Sequence, residues 1–291
     1  MRFNHLAIVG VGLIGGSFAL AARRAGLAHR ITGWGGKNSL AKALATGVVD
    51  GSEDSFDSSE VSRADLVYLA APIGGILDFL RTHGKLIKPG AIVTDAGSTK
   101  REICRAAHAS LPPEVHFVGG HPMAGSHKAG IEFARADLFE GAPYAIVSRE
   151  GEESAVSTFG EVVQAIGARL VITTAEHHDR VVARISHAPQ LLSTALAVAT
   201  EDSIGHELSR LAGPGFKDMT RLASSPWSIW KDICQTNADE ITAALGEVIR
   251  GLEVTRERVA SGDSAALLEA FEKANQSLRL LKRDRGDDTS E

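Results

Sequence analysis

A glycine-rich turn near the N-terminus constrains the fold of this chain more than any other feature. Residues 7–9 form a short apolar run typical of a buried strand, and Gly10, Gly12 and Gly15 follow it at the spacing G-x-G-x-x-G. Helix-forming residues come next, over 18–24. In this order the glycines permit a tight turn, close approach of a pyrophosphate and close packing of helix on strand. Because free N–H groups at a helix start bind phosphates, the turn predicts dinucleotide binding.

Short apolar runs alternate with helical stretches over the first part of the chain, at 7–9, 30–33, 66–70, 91–95, 115–119, 144–147 and 169–172. This alternation favours an α/β fold with a Rossmann-type, doubly wound, mostly parallel sheet. After Thr174 the strand signals end, and apolar residues recur at helical spacing. We therefore expect a dinucleotide-binding domain over 1–173, an all-helical substrate and dimerisation domain over 174–282, and a disordered tail over 283–291.

Composition narrows the possible partners. The net charge of -5 and the pI near 6.1 give no electrostatic reason to expect nucleic acid. The sequence shows neither an apolar run of membrane-spanning length nor a signal peptide. Cys104 and Cys234 are too far apart to form a ligand-spaced pair, so we expect a reduced, cytoplasmic protein without a metal. Broad apolar faces such as 181–199 need a covering surface, which favours a homodimer.

The end of the second predicted strand bears on the choice of cofactor. NAD-binding versions of this fold hold the ribose with an acidic residue, but residues 31–39 contain no carboxylate. Lys37 and Ser39 supply donors for a 2′-phosphate, which gives NADP a slight preference over NAD. A solvated Lys37, with NAD held by backbone groups, is the alternative. Trp34 could cover an adenine or simply pack. The predicted cofactor-binding residues are Gly10, Gly12, Leu13, Ile14, Gly15, Trp34, Gly35, Lys37, Ser39, Ala71 and Pro72.

Two polar loops follow later strands of the predicted sheet. The loop over 94–100 contains Ser98, and the loop over 119–126 contains His121. Because both loops follow strands, we expect them at the same sheet edge as the glycine turn, where the cofactor crosses. A substrate hydroxyl can lose hydride only as its proton is taken up, and histidine suits that role near neutral pH. His121 and Ser98 are therefore the catalytic candidates.

The same loops carry a resemblance to a known family. Residues 119–125, GGHPMAG, followed by Gly130 and LFEG at 138–141, resemble the signature of the prephenate and arogenate dehydrogenases of tyrosine biosynthesis. Residues 94–100 resemble the serine loop of that family. Further motifs at 178–179, 186–189 and 215–223 are similar to those of its helical domain. The resemblance extends from about residue 5 to about residue 280, in order.

The resemblance implies NAD(P)-dependent oxidative decarboxylation, of prephenate to 4-hydroxyphenylpyruvate or of arogenate to tyrosine. By similarity, His121 accepts the hydrogen bond or proton of the substrate hydroxyl, and Ser98 orients His121 and that hydroxyl. Arg221 binds a substrate carboxylate, for which a planar and permanently charged side chain is well suited. An ion pair between Arg221 and Asp218 is the alternative for this arginine.

Other positions matching the family motifs bear on the substrate pocket. Gln190 stands where many members carry a histidine that reaches the substrate side chain, which leaves open the choice between prephenate and arogenate. His187 and Ser126 are further substrate-binding candidates, although His187 could equally be a buried interhelical histidine. His177 and His178 are expected to lie behind the residues that touch the substrate.

Two other functions remain open from the sequence. Dehydrogenases of the 3-hydroxyacid or 6-phosphogluconate type also join a glycine-turn domain to helices, but they usually place a catalytic lysine on a helix, for which Lys217 is the candidate. A non-catalytic, NADP-sensing protein would need none of Ser98, His121 and Arg221.

Overall fold

The computed structural model describes residues 3–54, 59–125, 130–147 and 150–284. The strands are β1 (Phe3–Val9), β2 (Ala28–Gly35), β3 (Gly51–Asp54), β4 (Leu66–Leu69), β5 (Ile92–Asp95), β6 (His116–Pro122), β7 (Pro143–Val147) and β8 (Arg169–Thr173). The helices before β8 are α1 (Leu13–Arg24), α2 (Lys37–Ala45), α3 (Ser59–Arg63), α4 (Ile73–His83), α5 (Arg101–Ser110) and α6 (Glu153–Ala165). The helices after β8 are α7 (Ala175–Val182), α8 (Ala188–Leu211), α9 (Pro214–Thr220), α10 (Trp227–Thr236), α11 (Ala238–Ser261) and α12 (Ser264–Asp284).

The eight strands form one sheet in the order β3-β2-β1-β4-β5-β6-β7-β8. Neighbouring strands are parallel except β6 and β7, which are antiparallel. The predicted α/β fold with a mostly parallel sheet is confirmed. Sequence analysis missed β3, because Gly51–Asp54 reads GSED and contains no apolar run. An edge strand can pair through its backbone alone, with β2 here, so its residues carry little hydrophobic signal.

The core lies on both faces of this sheet. Ile8 and Val9 of β1 have no exposed surface, and Phe18 of α1 stacks on Tyr68 of β4 with ring centroids 3.7 Å apart. The Tyr144 hydroxyl donates to the Tyr68 hydroxyl at 3.1 Å, so the buried phenols satisfy each other. This packing holds β4, which pairs with β5, the strand before the polar loop that contains Ser98.

All elements described after β8 are helical, and a π turn (Ala183–His187) joins α7 to α8. The chain divides into two compact units, residues 1–241 and 242–291, so the first helices after the strands belong to the same unit as the sheet. The boundary at residue 173 stays a prediction.

Helix α12 extends further than the sequence analysis predicts. Helix α12 continues to Asp284, so residues 283 and 284 are helical, contrary to the prediction of a disordered tail from 283. Residues 285–291 lie outside the described part. No described helix has the combination of length and low polarity needed to span a bilayer.

Candidate active site

The glycine turn between β1 and α1 has the shape of a phosphate cradle. Gly10 has φ +93°, and a Cβ there would lie 2.6 Å from the backbone nitrogen of Ala71. A Cβ on Gly15 would lie 2.1 Å from the Gly10 carbonyl oxygen, whereas a Cβ on Gly12 would meet nothing within 4 Å. No side chain caps α1 at Gly12, and its first turn carries no acidic residue. The turn is therefore tight where the fold needs it and open where a pyrophosphate would lie.

The other predicted cofactor residues lie at the same edge of the sheet. Gly35 ends β2, Lys37 and Ser39 lie in the first turn of α2, and Pro72 directly precedes α4. Trp34 packs edge-on against Phe79 and His83, each at 5.3 Å between ring centroids. The packing alternative thus accounts for Trp34 in this structure, and its contact with an adenine stays a prediction.

His121 and Ser98 lie at the carboxyl ends of adjacent strands. Strand β6 runs parallel to β5 as far as Val118, then pairs with β7 from Gly119 to Pro122, and His121 lies in this second part. Ser98 follows the end of β5 and is partly buried. Because a Cβ on Gly120 would lie 2.5 Å from the Asp95 carbonyl oxygen, only glycine permits this approach of the two strands. The two candidates therefore share one sheet edge, as expected.

A buried ion pair connects these two strand ends. Lys100 and Asp95 are fully buried and paired, and the Lys100 ammonium also donates to the Gly120 carbonyl at 2.6 Å. The Asp95 carboxylate accepts from the backbone nitrogens of Gly97 at 2.8 Å and Gly120 at 3.1 Å. The pair thus holds both backbone groups of Gly120, the residue before His121. Both residues lie in the polar loop over 94–100, but nothing in the sequence indicates that they pair.

His121 is also held from α7. Its Nδ1 lies 2.9 Å from Nε2 of His178, and Nδ1 of His178 lies 2.8 Å from Oδ1 of Asp179. The Asp179 carboxylate accepts from the backbone nitrogens of Lys100 at 2.7 Å and Arg101 at 3.0 Å, which satisfies donors at the start of α5. His178, expected to lie behind the substrate contacts, is therefore the direct hydrogen-bond partner of His121.

The surroundings keep the His121 imidazole neutral. Burial lowers its pKa well below the usual 6.5, and the neighbouring His178, Lys100 and His187 act in the same direction. At neutral pH the ring is therefore neutral, with one protonated nitrogen and one that can accept a proton.

The predicted substrate residues on the helices fall into two environments. Arg221 is exposed, in a single turn of 3-10 helix (Arg221–Ser224). Gln190 is 5% exposed, and its amide donates to the Leu222 carbonyl at 2.7 Å. Ser193 Oγ accepts from the Ala223 backbone nitrogen at 3.1 Å. Gln190 and Ser193 thus support the turn that carries Arg221. Ser126 lies outside the described residues.

His187 is a buried interhelical histidine. It is 1% exposed, and Nδ1 lies 3.3 Å from the Asn237 amide nitrogen. The Trp230 ring lies nearly perpendicular to it, with centroids 6.0 Å apart. Burial lowers the pKa of His187 to about 4, although the Asp179 charge acts in the opposite direction. The packing alternative is thus the one that these contacts favour.

This low pKa makes stability depend on pH. Below pH 6.5 the unfolded state takes up a proton that folded His187 resists, so stability is full above 6.5 and falls as pH drops toward 4. From pH 7 to pH 5 we expect this residue to account for a loss of about 2 kcal/mol in the free energy of unfolding. Urea denaturation at both pH values measures it. His187→Gln should remove that part of the loss, whereas His177→Gln, at an exposed position, should keep it; equal losses in both variants contradict the assignment.

Comparison with known proteins identifies the family. Residues 18–172 match the nucleotide-binding domain of prephenate dehydrogenase, and residues 174–273 match its dimerization domain. The chain is 36% identical to prephenate dehydrogenase of Bacillus subtilis over 277 residues, 93% of this chain and 74% of that protein. It is 29% identical to cyclohexadienyl dehydrogenase of Zymomonas mobilis, covering 97% of each.

Solved structures agree with this assignment. Prephenate dehydrogenase of A. aeolicus, in complex with hydroxyphenyl propionate and NAD+, is 28% identical with a TM-score of 0.84, covering 99% of each chain. Synechocystis arogenate dehydrogenase is 28% identical with a TM-score of 0.83, covering 95% of this chain and 99% of that one. The resemblance seen in the loop motifs is confirmed, and the chain belongs to the prephenate dehydrogenase family.

Proposed function

We propose that this chain catalyses NAD(P)-dependent oxidative decarboxylation of prephenate or arogenate. The observation that carries the proposal is a neutral His121 at the carboxyl end of β6, in a sheet whose first turn has the form of a dinucleotide cradle. Similarity to prephenate, cyclohexadienyl and arogenate dehydrogenases supports the substrate class.

In the proposed reaction a hydride passes to the cofactor and the protein handles the proton of the substrate hydroxyl. A nicotinamide bound at the glycine turn would supply the acceptor for the hydride of the ring carbon that bears the hydroxyl. His121 takes up the hydroxyl proton and Ser98 orients that hydroxyl. The ring carboxylate leaves as carbon dioxide, the electron pair of the broken carbon–carbon bond enters the ring, which becomes aromatic, and His121 returns the proton to the resulting phenolate oxygen. Aromatisation makes the step effectively irreversible. The protein aligns the reacting groups, and it accepts and returns one proton.

The residues around the glycine turn fit the cofactor. Gly12 leaves space for a pyrophosphate, and the N–H groups of Leu13 and Ile14 begin α1 without a competing acidic side chain. The A. aeolicus relative binds NAD+. For this chain we propose a slight preference for NADP, because Gly35 replaces the usual acid and α2 begins with Lys37, whose charge suits a 2′-phosphate.

Arg221 is proposed to bind a substrate carboxylate. Replacing it by alanine removes a charge-assisted hydrogen bond worth about 1.5–3 kcal/mol, so we expect KM to rise roughly 10- to 100-fold with kcat nearly unchanged. Initial rates over a range of substrate concentration measure both constants. Arg210→Ala, at an exposed arginine at the end of α8, is the matched control and should leave both unchanged. An unchanged KM for Arg221→Ala contradicts the assignment.

We further propose a homodimer formed through the domain that we place from residue 174. The matching family model is described as a dimerization domain. Large apolar side chains are exposed on the helices of the first unit, among them Ile185, Val198, Leu211, Trp227 and Ile229. The second unit, taken by itself, exposes Ile249, Leu252, Val259, Leu268, Phe271 and Leu278. Such surfaces favour association, and light scattering should give twice the chain mass of 30.7 kDa.

A two-by-two rate assay tests the function directly. Prephenate or arogenate is combined with NAD+ or NADP+, and the absorbance of the reduced nicotinamide is followed. Activity in any combination supports the reaction class, and the fastest combination decides the substrate and the proposed NADP preference. If none of the four combinations shows activity while the cofactor still binds, the proposal is wrong. A hydroxyacid dehydrogenase or an NADP-sensing protein would then be the better interpretation.

A further inference from the structure

We infer that Asp179 and His178 are positioning residues that hold His121 in one tautomer, with its proton on Nδ1 and its lone pair on Nε2. The inference rests on the proposed function, in which His121 takes up the proton of the substrate hydroxyl. It goes further because it says which nitrogen of His121 does so, and which side chains outside the reacting groups make that nitrogen available.

The first step concerns the charge on Asp179. Its side chain is fully buried and accepts from two backbone N–H groups, of Lys100 and Arg101, and from the Arg101 guanidinium at 3.4 Å. Burial alone would raise the pKa of Asp179, but the hydrogen bonds from His178, Arg101 and Lys100 bring it below its usual value. The carboxylate is therefore ionised, and an ionised carboxylate can only accept hydrogen bonds.

The second step concerns His178. Because Asp179 can only accept, Nδ1 of His178, 2.8 Å away, must carry the proton. The Asp179 carboxylate also accepts from the backbone nitrogens of Lys100 and Arg101, so it is satisfied without a charged His178. A neutral imidazole has one proton, which leaves Nε2 of His178 as an acceptor. His178 is 4% exposed, which limits competition from solvent for that lone pair.

The third step concerns His121. Its Nδ1 lies 2.9 Å from the acceptor Nε2 of His178, so Nδ1 of His121 must donate and carry its proton. The neutral ring then has a bare Nε2, which can accept a proton. In the opposite tautomer Nε2 would already be protonated and could not act as a base. The groups facing the ring are His178, Lys100 and His187, and the Lys100 ammonium opposes the doubly protonated form of His121.

The tautomer can be observed without any turnover. In wild-type protein labelled with 15N-histidine, near pH 7.5, we expect His121 to show a protonated Nδ1 and a bare Nε2, its signals being assigned by their absence from His121→Asn. The opposite pattern overturns the inference. If neither substrate turns over but this pattern is found, the proposed function fails while the tautomer assignment stands, so the two failures are distinguishable.

Substitutions at His178 test whether the tautomer matters for catalysis. His178→Leu removes the acceptor, and we expect kcat to fall roughly 10- to 10³-fold, with KM little changed, because the proton is no longer held on Nδ1 of His121. A glutamine amide can donate to Asp179 through nitrogen and accept through oxygen, so His178→Gln should restore part of kcat. His177→Gln, the exposed neighbour on α7, should behave as wild type.

The kcat values of the His178 variants can support or overturn the inference. A clear order of kcat, with wild type fastest, then His178→Gln, then His178→Leu, supports it. Wild-type kcat in His178→Leu overturns it, as does equal kcat in the Leu and Gln variants when circular dichroism shows both folded. Should His178→Leu not fold, the tautomer measured in wild-type protein still decides.

Discussion

His121→Asn should lower kcat by about 10²- to 10⁴-fold while the affinity for NAD(P)+ is kept. An asparagine side chain can hydrogen-bond a hydroxyl but cannot take up its proton, so hydride departure would leave an unfavourable protonated carbonyl. The cofactor cradle, at the turn between β1 and α1, does not include this residue. Steady-state rates on the better substrate, with cofactor titrated separately by calorimetry, measure the two quantities.

A control variant, His29→Asn, tests whether the effect comes from the loss of the catalytic base or from the replacement of any histidine by asparagine. His29→Asn, at an exposed position on β2, makes the same chemical change away from β6 and should leave kcat within about twofold, as is usual for a surface substitution. Unchanged turnover in His121→Asn would remove His121 as the proton acceptor. A large loss of cofactor affinity would instead indicate that the substitution disturbs the dinucleotide site.

The parts of the fold that sequence analysis predicted well are those with strong local signals. Strand β4 is a fully buried apolar run, residues 6–9 of β1 are buried and apolar, and β5 begins with a buried apolar pair. The G-x-G-x-x-G turn is informative because a strand precedes it and a helix follows it. Strand β3 was missed because an edge strand paired with one neighbour needs no apolar sequence. The residues where α12 ends were missed because helices continue through charged residues as readily as apolar ones.

In the candidate active site, too, some features could be predicted from the sequence and others could not. His121 and Ser98 could be placed together because the carboxyl ends of adjacent parallel strands meet at one edge. The bond between His121 and His178 joins residues 57 positions apart, and no spacing in the sequence reveals it. The adjacent pair of His178 and Asp179 was visible, but neighbouring residues on a helix point in different directions, so their contact is not expected from the sequence.

Lys100→Met should lower the free energy of unfolding by about 3–5 kcal/mol, because removal of one partner leaves the Asp95 charge buried and unpaired. Both side chains have no exposed surface, so water cannot compensate the carboxylate. The substitution also removes the donor to the Gly120 carbonyl, which holds the residue before His121. We therefore expect kcat to fall together with stability, under conditions where circular dichroism still shows a folded protein.

We expect the loss of stability in Lys100→Met to come from the burial of the ion pair, and not from the loss of a lysine as such. Lys88→Met makes the same change in the pair with Asp65, whose side chains are 40% and 24% exposed. Solvent screens that pair, so we expect a loss of no more than about 1 kcal/mol. Urea denaturation of the two variants at pH 7 compares them. If Lys100→Met loses as little as Lys88→Met, the Asp95 carboxylate is satisfied by Gly97 and Gly120 alone, and the ion pair does not position His121.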